Sequence, residues 1–400
     1  MFKKKIIILA QSMEIGGAER ALLGLLNSFD CSRYQVDLFL ARQEGELLQF
    51  IPDSVNLLPV NQARYLAVPM KHLISRFALR MLYGRLKAKY LAKRKVQELN
   101  LNTDNQVELT YSHKYTYSYM DAISPDIEYD LAISFLTPHY ICLNKVKAKK
   151  KLAWIHTDYS TVDIDTTTEF EMWEKYDYIA SISDKCTEAF VTEFSSLEDK
   201  IIRIDNIVTS EIIEEQAKVP TQLEEMSGDG IKLLSIGRFS NAKNFDNIPV
   251  ICSYMVNSGI NVKWYLIGFG GDEALIYSKI EEYHMQEHVI ILGKKENPYP
   301  YIKRCDIYVQ PSRYEGKAVA VREAQILQKP VIITNFPTAR AQLEDGYDGV
   351  IVPLDNEGCA KGIIDVIRDK ELQKKLIINM QHTNYGNANE VEKIYRLLGE

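Results

Sequence analysis

Short apolar runs alternate with longer amphipathic segments along the first half of the chain. Such runs, bounded by turn residues, are typical of strands buried in a parallel sheet. Between the first two runs, residues 18–29 place apolar side chains at helical spacing, which predicts a helix lying on the sheet. The repeated strand–helix–strand pattern predicts a doubly wound α/β domain. Its predicted strands are Lys5–Ala10, Gln35–Leu40, Leu131–Phe135, Lys151–Ile155 and Tyr178–Ile182.

The strand pattern restarts after a polar, glutamate-rich stretch, residues 209–230, which we predict to be a linker. The chain then predicts a second doubly wound domain over residues 231–384, while residues 1–208 form the first. A final helix, at about 385–400, is predicted to pack on the first domain. Ligands bind at the carboxyl ends of the strands in this architecture, so two such domains predict a cleft. The strands predicted in the second domain are Ile231–Ile236, Val262–Ile267, Val289–Leu292, Asp306–Val309 and Pro330–Thr334.

The composition narrows the class of protein. Of the 400 residues, 46% are hydrophobic and 26% charged, as in ordinary globular proteins. A net charge of -6 argues against a nucleic-acid binder. The six cysteines show no metal-ligand spacing, which indicates reduced thiols and a cytoplasmic location. The basic and then apolar start is too short for a secretory signal, so we interpret it as the first strand.

Candidate chemistry is densest between residues 310 and 323. If Gly316 to Ala318 open a helix, their backbone N–H groups lack partners and form an anion site suited to a diphosphate. Glu323 would then lie roughly two turns along that helix, about 12 Å from Glu315 along the axis. This distance suits two parts of one elongated ligand better than an acid/base pair.

Two other loops carry features suited to a phosphate ligand. Arg238 and Lys243 follow a predicted strand and place two cations where a diphosphate would sit. Gly16 and Gly17 follow the first strand and permit close approach of the backbone to a ligand. The loop of Arg238 and Lys243 and the segment around Glu315 therefore predict a diphosphate site, and Gly16 and Gly17 predict a ligand contact.

Taken in order and at this spacing, the motifs resemble the retaining GT-B glycosyltransferases of family 4, which include bacterial polysaccharide and lipid glycosyltransferases. The resemblance rests on Gly16-Gly17-Ala18-Glu19, on Gly237-Arg238 with Lys243-Asn244, and on Glu315 and Glu323 with seven residues between them; residues 306–312, 329–335 and 346–353 add to it. It implies a GT-B architecture, with two Rossmann-like domains facing a central cleft. It also implies transfer of a hexose or N-acetylhexosamine from a UDP-sugar to a saccharide or lipid-linked acceptor, in cell-surface polysaccharide or glycolipid synthesis. No metal and no cofactor besides the donor are implied.

The resemblance also implies roles for matching residues. Arg238 and Lys243 would bind the donor pyrophosphate, Glu323 would accept hydrogen bonds from the ribose hydroxyls, and Glu315 would lie near the transferred sugar. The remaining donor contacts would come from Gly16, Gly17, Gly316, Lys317, Ala318, Val319 and, in the base-binding loop 293–298, Asn297.

His156 completes the implied catalytic set. It ends a first-domain strand where the family carries a cleft-facing histidine, and it would contact the donor sugar or orient the acceptor. Asp158 is an alternative for that role. Lys317-Ala318 depart from the family pattern after Glu-Gly, which leaves the donor sugar open. Two other functions also stay open: a nucleotide-sugar epimerase of the same fold, and a non-catalytic sugar-nucleotide-binding subunit.

Residues 71–95 form a basic segment without an acidic residue. Apolar residues, among them Met81, Leu86 and Tyr90, recur at helical spacing and are expected to lie beneath the charges. One interpretation is a sheet-packed helix with a solvated basic face. The other is docking to an anionic membrane surface.

Overall fold

The computed structural model of the chain describes residues 3–75, 78–102, 105–157, 159–219, 223–316 and 318–399. It divides into two compact units, one formed by Met1–Val208 with Ala388–Glu400 and the other by Thr209–Asn387. Residues 209–230, which we predicted as a linker, therefore lie in the second unit. Part of this stretch is helical, because helix Ser210–Gln216 packs within that unit.

The first unit is built on a parallel sheet with seven strands among the described residues, in the order β3-β2-β1-β4-β5-β6-β7. Side chains of β1 alternate between two apolar layers, with Ile6 and Ile8 on one face and Ile7 and Leu9 on the other. Both faces are thus covered, which explains the continuous apolar runs. The strands are β1 (Lys4–Ala10), β2 (Tyr34–Leu40), β3 (Asn56–Leu57), β4 (Tyr129–Ser134), β5 (Ala148–Ile155), β6 (Tyr178–Ser181) and β7 (Ile201–Arg203).

Helices cover both faces of this sheet. The first begins at Gly17, directly after Gly16, and buries Leu22, Leu25 and Leu26 on one side. The last follows the second unit in sequence and closes the layer beside β2. The helices of the first unit are α1 (Gly17–Ser28), α2 (Met70–Ser75), α3 (Leu79–Leu99), α4 (Val107–Lys114), α5 (Tyr140–Lys145), α6 (Thr166–Trp173), α7 (Asp184–Glu193) and the C-terminal helix α15 (Val391–Leu397).

The second unit repeats the plan with a parallel sheet of six strands in its described part, in the order β10-β9-β8-β11-β12-β13. Its strands are β8 (Ile231–Ile236), β9 (Val262–Ile267), β10 (Val289–Gly293), β11 (Ile307–Gln310), β12 (Val331–Thr334) and β13 (Val350–Val352). Its helices are α8 (Ser210–Gln216), α9 (Ile248–Asn257), α10 (Glu273–Glu282), α11 (Tyr299–Arg304), α12 (Val319–Ile326), α13 (Asn356–Arg368) and α14 (Lys370–Gln381). The predicted α/β class, with two doubly wound sheets, is confirmed.

Residues 71–75 and 79–95 of the basic segment are helical, but its apolar residues are not all beneath the charges as we expected. Met81 is buried, whereas Leu86 and Tyr90 point to solvent. The reason is that α3 rests on small side chains, Ala88 and Ala92, which pack against α4. Arg76, one of the basic residues of this segment, lies outside the described residues. None of the described helices combines the length and apolar character needed to cross a membrane.

Candidate functional site

The order of strands in the second sheet creates a crevice for a ligand. β8 lies between β9 and β11, so the connections leaving β8 and β11 diverge to opposite sides. Ligands of doubly wound sheets bind at such a switch point, beyond the carboxyl ends of the strands. The loop after β8 carries Arg238 and Lys243, and the loop after β11 carries Glu315. The pairing of Leu234 with Tyr308 brings both loops to the same edge of the sheet.

Lys243 and Glu315 contact each other directly at this edge. The ammonium Nζ of Lys243 lies 2.6 Å from Oε1 and 2.8 Å from Oε2 of Glu315. The glutamate side chain is nearly buried, and that of the lysine is only partly exposed. Two residues that the sequence placed in one site, 72 positions apart, are therefore an ion pair.

Further polar side chains hold the carboxylate of Glu315. Ser312 Oγ donates a hydrogen bond of 2.6 Å and Gln310 Nε2 one of 3.0 Å to its Oε1. Gln310 in turn accepts a hydrogen bond of 2.6 Å from the hydroxyl of Tyr308. Burial and the nearby carboxylates of Glu315 and Glu323 raise the pKa of Tyr308 well above its ordinary value, so that hydroxyl remains a donor. Sequence reasoning had given Gln310 and Ser312 no role; a glutamine ending a buried strand was the available signal.

The two loops are also joined to each other. Arg313 makes a paired contact with Asp246, with Nη1 2.9 Å from Oδ1 and Nη2 2.7 Å from Oδ2. Asn244, in the left-handed conformation at φ 61°, donates from Nδ2 to the carbonyl of Pro311 over 2.8 Å. Planar pairs of this kind fix orientation as well as distance. The position of Lys243 relative to Glu315 is thus set by both loops.

Arg238 stands on the same loop with an exposed side chain. No hydrogen bond or ion pair engages its guanidinium within the described part of the chain. The backbone next to Arg238 is held by residues 268–271 after β9, which we call the glycine turn, because Phe239 N donates to Phe269 O over 2.8 Å. A Cβ on Gly270 would lie 2.3 Å from Phe239 O, so only glycine permits this approach. The glycine turn therefore supports the Arg238 loop.

Helix α12 begins later than we predicted. The helix starts at Val319, with Ala318 at its N-cap, so Glu315 and Gly316 lie in the preceding loop and not on the helix of Glu323. The loop stays non-helical because side chains satisfy its backbone: Gln342 accepts from Ala318 N at 3.0 Å and donates to Gly316 O at 3.1 Å. Thr338 donates to Glu315 O over 2.6 Å. Lys317 lies outside the described residues.

Glu323 and Asn297 are linked through Tyr299. The hydroxyl of Tyr299 donates to Glu323 Oε1 over 2.9 Å, and its backbone N–H donates to Asn297 Oδ1 over 3.1 Å. Asn297 also donates to the carbonyl of Gln216 over 2.8 Å. The carboxylate of Glu323 is almost completely buried. Both predicted contacts thus lie on one short hydrogen-bonded chain.

The first unit holds the remaining predicted residues. Gly16 is the N-cap of α1, and the side chain of Glu19 folds back on it, so that a Cβ would lie 2.1 Å from its Oε2. A Cβ on Gly17 would meet no atom within 4 Å. These two residues follow β1, which borders β4 at the switch point of the first sheet.

His156 follows β5 and packs between aromatic rings. Its ring centroid lies 4.4 Å from that of Phe135 and 6.0 Å from that of Trp154. Desolvation lowers the pKa of His156 to about 3, so the imidazole is neutral near pH 7. Its Nε2 atom is buried and has no hydrogen-bond partner among the described residues. Asp158 lies outside the described residues.

Comparison with known proteins finds a family match in the second unit. Residues 222–383 match the family of Glycosyl transferases group 1. An N-acetylgalactosaminyltransferase of Campylobacter jejuni, which acts on N-acetylgalactosamine-N,N'-diacetylbacillosaminyl-diphospho-undecaprenol, is 27% identical over 51% of this chain and 54% of that protein. The chain thus spans about half the length of the curated relatives it matches.

Solved structures extend the likeness of fold to the whole chain. A variant of Staphylococcus aureus TarM in complex with UDP superposes with a TM-score of 0.67 at 14% identity, covering 99% of this chain and 100% of TarM. Anabaena Alr3699/HepE with UDP and glucose gives 0.66 at 16% identity, covering 99% and 100%. The predicted resemblance to GT-B glycosyltransferases of the group 1 type is confirmed by the family match and this fold.

Proposed function

We propose that this chain, which carries a group 1 glycosyltransferase region on the GT-B fold, is a retaining glycosyltransferase. It transfers a hexose or N-acetylhexosamine from a UDP-sugar to a saccharide or lipid-linked acceptor. The observation that carries the proposal is the ion pair of Lys243 with Glu315 at the switch point of the second sheet. The UDP found in two proteins of the same fold supports the choice of donor.

The chemistry that we propose is stabilisation of the leaving group. The bond between the anomeric carbon and the β-phosphate oxygen breaks, and its electrons stay on the phosphate. Arg238, which is exposed, and Lys243, which is held by Glu315, neutralise that charge. The acceptor oxygen bonds to the anomeric carbon on the same face, and its proton passes to the departing phosphate. Configuration is therefore retained, and no metal ion takes part in the proposed step.

We assign the remaining contacts to different parts of the donor. Glu323 accepts hydrogen bonds from the ribose hydroxyls, and the backbone of Gly316, Ala318 and Val319 meets the phosphates and the sugar. Asn297 belongs to the loop that we propose for the base. A neutral imidazole with a pKa of about 3 is a poor base, so His156 is proposed as a hydrogen-bonding group for a sugar hydroxyl.

The acceptor and the place of action follow from the same reasoning. The Campylobacter relative acts on a sugar carried by diphospho-undecaprenol, and we propose a lipid-linked saccharide acceptor here as well. Such an acceptor places the protein in the cytoplasm at a membrane surface. The six cysteines are free thiols, which agrees with a reducing compartment.

The test measures release of the nucleoside diphosphate, UDP or GDP, from a panel of UDP- and GDP-sugars, with and without lipid-linked saccharide acceptors. We expect acceptor-dependent release with one class of donor, and a loss on the order of 100-fold or more in the Arg238→Ala and Glu323→Ala variants. Arg368→Ala and Glu282→Ala, two exposed residues elsewhere in the second unit, serve as matched controls. The anomeric configuration of the product is read by NMR.

Each alternative predicts a different result. A UDP-sugar converted to an isomer without acceptor would indicate an epimerase. Donor binding without turnover across the whole panel would indicate a binding subunit. A product of inverted configuration would contradict the retaining mechanism while leaving the transferase activity intact.

A further inference from the structure

Helix α3 presents an apolar stripe to solvent. Leu79, Tyr83, Leu86 and Tyr90 are each between 51% and 63% exposed. Their spacing of four, three and four residues places them on one face of the helix. At a rise of about 1.5 Å per residue, the stripe is roughly 16 Å long. Side chains of this size usually lie inside a protein, so a continuous exposed row calls for a partner.

The opposite face of α3 is fixed by packing, so the stripe cannot turn inward by rotation of the helix. Gly84 meets the chain beyond α4, where an added Cβ would lie 2.8 Å from Tyr115 O. Arg85 donates hydrogen bonds to the carbonyls of Tyr65, over 3.0 Å, and of Val68. Desolvation lowers the pKa of Arg85 from its ordinary value, as expected for an anchoring side chain.

Unpaired cations border the stripe on both sides. At about 100° per residue, Lys89 and Lys93 project along one edge, and Arg80 and Arg94 along the other. All four are exposed, and none has an ion-pair partner within the described parts of the chain. Two neighbouring cations contact groups of the chain itself. Lys95 pairs with Glu98 at 3.1 Å, and Nζ of Lys87 lies 5.0 Å from the centroid of the Tyr115 ring. The four bordering cations are therefore available to an external anionic surface.

We propose that this face of α3, defined as Leu79, Tyr83, Leu86 and Tyr90 with their four bordering cations, docks onto an anionic lipid bilayer. The stripe enters the interface between headgroups and acyl chains, and the cations contact anionic headgroups. Tyrosine suits that depth because its ring is apolar and its hydroxyl polar. The proposal deepens the proposed function and rests on it for the lipid-linked acceptor.

Charge selects this partner over others. A second copy of the chain would oppose cations to cations, which costs free energy. A nucleic acid would match the cations, but it would leave most of the apolar stripe in water. The whole chain carries a net charge of -6, so attraction to an anionic bilayer depends on this local basic face.

The experiment is flotation of the full chain with vesicles of phosphatidylglycerol and phosphatidylcholine, compared with phosphatidylcholine alone. The stripe variant is Tyr83→Ser, Leu86→Ser and Tyr90→Ser, and the cation variant is Lys89→Gln, Lys93→Gln and Arg94→Gln. The control is Lys374→Gln, Lys375→Gln and Ile378→Ser on α14, which alters two exposed cations and one exposed apolar residue there. All changes lie at exposed positions, and circular dichroism checks folding.

We expect the wild type and the control to float with the anionic vesicles only. The cation variant should bind on the order of 100-fold more weakly, which corresponds to about three lost surface charges. The stripe variant should lose binding to a similar extent and keep wild-type UDP release with a soluble saccharide acceptor.

Equal flotation of all variants, or no flotation of the wild type at low salt, would overturn the docking proposal. So would a wild-type dimer that the stripe variant converts to a monomer without any vesicle binding. If the wild type binds vesicles but neither it nor any variant releases UDP, the transferase proposal fails and the docking proposal stands. The two proposals can therefore fail separately.

Discussion

The carboxylate of Glu315 has the most demanding environment of the candidate site. Removing an ionised group from water costs several kcal/mol unless charged or polar partners replace the solvent. Here Ser312, Gln310 and Lys243 supply those partners. The same contacts hold Lys243 in place, because moving its ammonium away would leave the buried carboxylate of Glu315 without a cation. A cation held in this way needs little reorganisation when a phosphate charge develops beside it.

A double-mutant cycle tests this coupling. Lys243→Met leaves the carboxylate without its cation, and we expect a loss of about 1–3 kcal/mol in the free energy of unfolding of the second unit. Glu315→Gln keeps the hydrogen bond from Ser312, and the double variant should lose less than the sum of the single changes. Turnover should fall on the order of 100- to 1,000-fold in Lys243→Met. Urea titration followed by hydrogen exchange in β8 and β11 gives the stability of this unit.

Strictly additive losses would show that the two residues do not support each other.

Part of the arrangement of these residues could be predicted from the sequence. Arg238, Lys243 and Glu315 could be predicted as one site because each follows a strand of the same sheet. The contact between Lys243 and Glu315 could not be predicted, because it depends on the pairing of β8 with β11 and on the paired contact of Arg313 with Asp246.

At the scale of elements, the glycine turn after β9 supports the loop that carries Arg238. Gly270 has a φ of 155°, and the backbone of Phe239 leaves no room for a Cβ there. We expect Gly270→Ala to destabilise the second unit by about 1–3 kcal/mol through backbone strain. UDP should bind more weakly, by about tenfold, because the Arg238 loop loses its support. Calorimetric titration with UDP and thermal unfolding measure both effects.

The neighbouring glycine provides the control. A Cβ on Gly271 would meet no atom within 4 Å, so Gly271→Ala should leave UDP binding and stability near wild type. If both substitutions weaken UDP binding alike, the effect comes from general loosening of the turn and not from the contact with Phe239.

Elements differed in how well the sequence predicted them. Strands such as β1 and β8 are buried on both faces, so their apolar runs located them within a few residues. The two-residue β3 and three-residue β7 are too short to show a pattern, and we missed them. The predicted start of α12 was wrong because hydrogen bonds with the Gln342 side chain replace helical ones in the preceding loop.

For the whole molecule, the first unit draws on two separate stretches of the chain. Helix α15 follows the second unit in sequence, yet Tyr395 stacks on Tyr34, with centroids 4.2 Å apart and an interplanar angle of 7°. Its hydroxyl accepts a hydrogen bond of 2.8 Å from the backbone N–H of Asp30. Lys4 donates to the carbonyl of the C-cap Leu398 over 2.9 Å and Lys150 to that of Leu397 over 2.7 Å, at the end of α15 where a helix favours cations. The packing of the first unit therefore depends on residues that follow the second.

Tyr395→Ala tests this dependence. The lost ring contacts and hydrogen bond should cost the first unit about 3–5 kcal/mol, as for other large buried aromatic residues. Hydrogen exchange should quicken in β1 and β2, while β8 and β11 keep their protection. Tyr254→Ala, an exposed tyrosine of the second unit, should leave both sets unchanged. Equal loss of protection in both sheets would mean that the units unfold as one. In that case α15 would support the second unit as well, and the stability of the donor-binding residues would depend on a helix that belongs to the other unit.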